Sequence, residues 1–156
     1  MPPHSPSPMR NVLFAAPYPL ETTLRFARAA ASLPGVKLLG VAAELPRGKD
    51  AAIFADIAQV RDGLSAEQLI EAARQLQKKH GPIHRVVGIL EPLQVQLAQV
   101  REALDIPGTR PEVADLFRDK GRMKDELRRH GLPCARHAVI RSIDDAERFT
   151  AEVGFP

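Results

Sequence analysis

Two short apolar runs, Asn11-Val-Leu-Phe-Ala-Ala16 and Val36-Lys-Leu-Leu-Gly-Val-Ala42, flank a segment of a different period. In that segment Leu20, Leu24, Ala27 and Ala31 recur at helical spacing, and Pro34-Gly35 stops the helix. Strand, helix and strand within roughly thirty residues make a βαβ unit, whose two strands must lie parallel and whose crossover should be right-handed. A parallel sheet in turn needs helices on both faces. This alternation limits the fold more than any other property of the chain.

The pattern continues. Ser65-Ala-Glu-Gln68 has the form of a capping box, and Leu69, Ala73 and Leu76 share the face of the helix that follows. His80-Gly81-Pro82 ends it. Arg85-Val-Val-Gly-Ile-Leu90 reads as the clearest buried strand. Leu93, Leu97, Val100 and Leu104 then mark a helix that stops at Asp105-Ile-Pro-Gly108. Residues 51–62 fit either a short helix or a strand, and a strand near 56–61 is favoured. The expected fold class is α/β, a Rossmann-like three-layer parallel-sheet domain over residues 10–109, preceded by a Pro/Ser tail over 1–9 that cannot pack.

Beyond residue 109 the helices come closer together. Thr109, Pro111 and Glu112 suit a helix start, with Val113, Leu116 and Phe117 on its apolar face. Asp119 can cap a further helix whose face carries Met123, Leu127 and His130. Gly131 is placed for the left-handed residue after that helix, Leu132 and Leu127 for the apolar pair of a Schellman turn, and Pro133 for the stop. Residues 136–140 read as a strand. Ser142 and Asp145 start a last helix with Ala146, Phe149 and Val153 inward, closed by Gly154 and Pro156.

The runs Arg118-Asp-Lys-Gly-Arg-Met-Lys-Asp-Glu-Leu-Arg-Arg-His-Gly-Leu-Pro133, Ala135-Arg-His-Ala-Val-Ile140 and Asp144-Asp-Ala-Glu-Arg-Phe-Thr-Ala-Glu-Val-Gly-Phe-Pro156 together resemble the entry into the ATP-grasp fold. In that superfamily an Asp-Lys helix ends at Gly-(Leu/Val)-Pro. A strand and a helix ending Gly-(Tyr/Phe)-Pro follow. The resemblance implies a pre-ATP-grasp domain over 10–109 and the first helix-strand-helix elements of the ATP-grasp domain over 110–156, truncated at its C-terminal end. It implies an ATP- and Mg-dependent ligase that joins a small-molecule carboxylate to an amine through an acyl phosphate. Lys120 matches the basic residue that contacts the nucleotide phosphates, with Arg118 and Lys124 as weaker neighbours. The principal ATP and Mg ligands of the family, and the remaining ATP-grasp domain as a partner, would lie beyond Pro156. The 156-residue chain alone is therefore expected to be inactive. Many enzymes of this kind are homodimers.

Other functions find no support. The loop after the first strand, Ala15-Ala-Pro-Tyr-Pro-Leu20, has no glycine, so it lacks the G-x-G-x-x-G fingerprint of dinucleotide binding. No P-loop and no G-x-S-x-G elbow occur. His4, His80, His84, His130 and His137 show no metal-ligand spacing, and the one cysteine, Cys134, permits no internal disulfide. The net charge of +3 is spread among acids, without the basic and aromatic stripe of a nucleic-acid surface. No apolar run is long enough to span a membrane, and no signal peptide opens the chain, so the expected location is cytoplasmic.

In open parallel sheets ligands gather at the carboxyl ends of the strands. Glu21 and Tyr18 after the first strand, and Glu91 after the Arg85–Leu90 run, are therefore candidate substrate-binding residues. Against the ligase stands a free-standing Rossmann-like module that binds a ligand or partner without catalysis.

Overall fold

The computed structural model describes residues 8–154; the expectations for residues 1–7, His4 included, and for the closing Phe155-Pro156 lie outside them. The chain forms two compact units that divide between Ala114 and Asp115.

The first unit runs β1 (Arg10–Ala15), α1 (Glu21–Ala31), β2 (Val36–Ala42), a 3₁₀ turn (Gly48–Ile53), β3 (Asp56–Gln59), α2 (Ala66–His80) and β4 (Ile83–Val87). A second 3₁₀ turn (Glu91–Leu93) leads into α3 (Gln94–Ala103). The strands form one parallel sheet in the order β3-β2-β1-β4, with Leu13 opposite Leu39 and Phe14 opposite Gly40. The favoured strand near 56–61 is thus present.

Successive strand residues point to opposite faces, and each face has its own core. Leu13, Ala15, Leu39 and Val41 pack with Leu69, Ala73 and Leu76 of α2 and Leu97 and Val100 of α3. Phe14, Ala16 and Leu38 pack on the other face with Ala27 of α1 and with Phe54. Gly40 lets the Phe54 ring lie on the sheet, because a Cβ there would stand 2.9 Å from Phe54 Cδ1. The α/β class and the layering follow the sequence pattern.

Three local expectations change. The strand placed at Arg85–Leu90 is Ile83–Val87 instead. The side-chain amide of Asn11 donates to His80 O (2.9 Å) and Pro82 O (3.0 Å) and draws the chain into the ladder at Ile83, with a register shift beside Asn11. It is also an edge strand, and Val87 remains exposed. At the start of α2 only half of the capping box forms. Ser65 Oγ accepts from Gln68 N, whereas the Gln68 side chain accepts from Arg61 N and Asp62 N.

The helix α4 (Pro111–Arg118) follows, and Ala114 N in its first turn donates to Arg110 O. The second unit holds α5 (Lys120–Arg129) and α6 (Ile143–Val153). Gly131 is left-handed (φ 71°), and Leu132 N donates to Leu127 O at 2.9 Å, so the Schellman turn is made. Ser142 Oγ caps α6 through Asp145 N. Residues 136–140 are the third difference: they form no ladder. An extended segment becomes a strand only beside another, and no described residue after Ala114 supplies one. No described residue from Asp115 onward is buried; Met123, Leu127 and Phe149 are half-covered, and Val153 is exposed.

Candidate functional site

Three loops meet at the carboxyl ends of β1, β2 and β3. Pro17 fixes them to one another. Its carbonyl accepts from Ala43 N and Glu44 N, both at 3.0 Å, which ties the β1–α1 loop to the residues after β2. Pro17 is fully buried, and Gly63 lies so close that an added Cβ would come within 2.7 Å of Pro17 Cβ. Gln59, the last residue of β3, donates its side-chain amide to Ala43 O at 3.0 Å.

Beside this junction is a cleft of about 960 Å³, within the size range of small-molecule sites. Its apolar floor includes Pro19, Leu24 and Pro46, and its polar rim carries Glu44, Arg47, Asp50 and Gln59. Asp50 is already satisfied, since Arg28 Nη1 donates to it at 2.8 Å while Arg28 Nη2 also binds Glu21. The Asp50 hydrogen bond and the two carboxylates hold the Arg28 guanidinium above its ordinary pKa, so it remains a cation throughout. Glu44 and Arg47 are exposed, and neither takes part in an ion pair or side-chain hydrogen bond within the described residues.

The candidates from sequence are only partly brought together here. Tyr18 is 41% exposed in the β1–α1 loop. Glu21 is the first residue of α1, and its carboxylate is engaged by Arg28. Glu91 opens the 3₁₀ turn after β4 and is exposed. None of the three lines the cleft. Glu44, Arg47, Asp50 and Gln59 do, and none of them belongs to a motif of the sequence. Their position after β2, at the carboxyl edge of a parallel sheet, was the signal available.

In the second unit Lys120 is the first residue of α5. The Asp119 carboxylate accepts from Gly121 N (2.9 Å) and Arg122 N (3.0 Å), which leaves the exposed Lys120 ammonium outside any ion pair among the described residues. Arg118, Asp119 and Lys120 line a shallow concavity. A free ammonium on the positive end of a helix suits a phosphate. Among the described residues no three His, Cys, Asp or Glu side chains come together as metal ligands.

No known family profile matches the chain. It is 30% identical over 96 residues to the carbamoyl phosphate synthase large chain of Brucella suis biovar 1, and equally to that of Rhizobium meliloti. Those matches cover 60% of this chain and 8% of each relative. The corresponding protein of Mycobacterium sp. strain JLS is 35% identical over 77 residues, 46% of this chain and 7% of its own. The chain therefore corresponds to less than a tenth of the length of these curated relatives. Among solved structures, an L-amino acid ligase from Bacillus licheniformis matches with a TM-score of 0.68 and 16% identity, over 94% of this chain and 43% of that one. A phosphoribosylglycinamide synthetase from Anaerococcus prevotii matches with a TM-score of 0.67 and 20% identity, over 96% and 36%. The likeness to these two ligases shows a shared fold, in agreement with the α/β fold class expected from the sequence.

Proposed function

We propose that the chain serves an ATP-dependent ligase that joins a carboxylate to an amine. The observation that carries this reading is Lys120: a free ammonium directly after a capping aspartate, at the positive end of α5, in a chain with this fold. In such a ligase the substrate carboxylate oxygen bonds to the γ-phosphorus of ATP and ADP leaves. The amine nitrogen then bonds to the acyl carbon, the carbon–oxygen bond to phosphate breaks, and the amine gives up a proton. Charge neutralisation does most of the catalytic work in phosphoryl transfer. Lys120 would contribute one positive charge beside the phosphates. The cleft at the carboxyl ends of β1–β3 would hold one of the organic substrates at Glu44, Arg47 and Gln59. Magnesium, when bound, would supply further positive charge at the phosphates.

The test is an assay of the natural gene product for ADP release that requires both a carboxylate and an amine. Lys120→Ala should raise the dissociation constant for ATP by about tenfold, the worth of one hydrogen bond to a charged group. No coupled ADP release with any carboxylate–amine pair, or unchanged ATP affinity in the variant, would count against the proposal.

A further inference from the structure

The rim of the cleft beside β2 carries two opposite charges that stay apart. Glu44 and Arg47 are three positions apart on one loop, both reach the same cleft, and neither is paired with the other or with any described residue. The third charge, Asp50, is bound by Arg28, so it offers little to a ligand. Gln59 spends its amide nitrogen on Ala43 O and keeps its carbonyl oxygen as an acceptor. Below this rim lie Leu24 and Pro46, both buried, with the exposed Leu45 at the edge.

We infer that this cleft binds a small zwitterion, a free α-amino acid with a short apolar side chain. Its carboxylate meets Arg47, whose planar fork matches a carboxylate. Its ammonium meets Glu44 and the carbonyl oxygen of Gln59. Its side chain covers Leu24 and Pro46. A ligand with only a negative charge would leave Glu44 opposed to it, and one with only a positive charge would leave Arg47 opposed. The zwitterion satisfies both, each contact being a hydrogen bond between opposite charges. The loop needs little ordering on binding, because the Pro17 carbonyl already holds Glu44 N.

The inference deepens the proposed function and rests on it only for the fate of the ligand, as one of the two molecules joined. Binding needs no nucleotide. The experiment is therefore a titration of the isotope-labelled 156-residue chain, without ATP, with L-alanine, L-leucine, acetate and ethylamine, read by NMR at Leu24, Glu44 and Gln59. Alanine should shift these signals with saturation, and acetate and ethylamine should bind about tenfold more weakly or worse. Arg47→Ala and Glu44→Ala, both at exposed positions where folding is not at risk, should each weaken alanine by about tenfold. Alanine that leaves the signals unmoved, acetate that matches alanine, or variants that bind like the parent would overturn the inference. A negative result here leaves the ligase assay free to succeed, and a failed ligase assay leaves this binding measurement intact.

Discussion

His80 Nε2 lies 2.7 Å from Asp56 Oδ2, which joins the last residue of α2 to the first residue of β3. Lys37 Nζ lies 3.0 Å from the other ring nitrogen of His80. An ammonium can only donate, so Nδ1 accepts and the ring proton sits on Nε2, directed at the carboxylate. Lys79 Nζ reaches the same Asp56 oxygen at 2.7 Å. Hydrogen bonds first from Lys79 and then from His80 bring the Asp56 carboxyl down to about 2 from its ordinary 3.8. The cluster clamps the amino end of the sheet, away from the cleft.

Asp56 should therefore make stability depend on acid. Its folded pKa is depressed, so its contribution is full above about 4 and is lost as pH falls through about 2. Asp56→Asn should cost on the order of 2 kcal/mol at pH 7 and much less at pH 2. Urea unfolding at the two pH values measures the difference, and an equal cost at both would show that the charge is not the cause.

Gly63→Ala tests the junction that shapes the cleft. The added Cβ meets Pro17, whose ring and backbone cannot turn aside. Overpacking of this kind costs about 1–3 kcal/mol. The amide signals of Ala43 and Glu44, which both donate to Pro17 O, should move with it. A shift confined to residue 63 would mean that the junction yields without consequence.

Asp119→Ala removes the carboxylate that satisfies two backbone N–H groups of α5. Loss of such a cap costs about 1 kcal/mol. Hydrogen exchange in the first turn of α5 should quicken, while α2 and α3 keep their protection. Unchanged exchange at Gly121 and Arg122 would contradict the capping role.

The layered fold was readable because its cause is periodic. Leu20, Leu24 and Ala27, or Leu69, Ala73 and Leu76, can face a core only as helices, and the β1 and β2 runs can be buried on both faces only in a parallel sheet. The exact place of β4 was not readable, because one side-chain amide, Asn11, sets it across the sheet. Lys120 stood out only through a family resemblance, since an exposed lysine has no local signature. Glu44 and Arg47 were hidden for another reason. Their meaning depends on an ion pair that Asp50 makes and they do not, with an arginine far back along the chain. Residues 136–140 misled because apolar character prepares a strand but cannot supply its neighbour.

From Asp115 to Gly154 no side chain is shut away from water. Helices there rest on caps and local ion pairs, which are worth tenths to about one kcal/mol each. Melting should therefore be uneven: warming or mild denaturant should loosen this stretch well before the sheet gives way. A circular dichroism signal from its helices should fade gradually, ahead of one cooperative collapse.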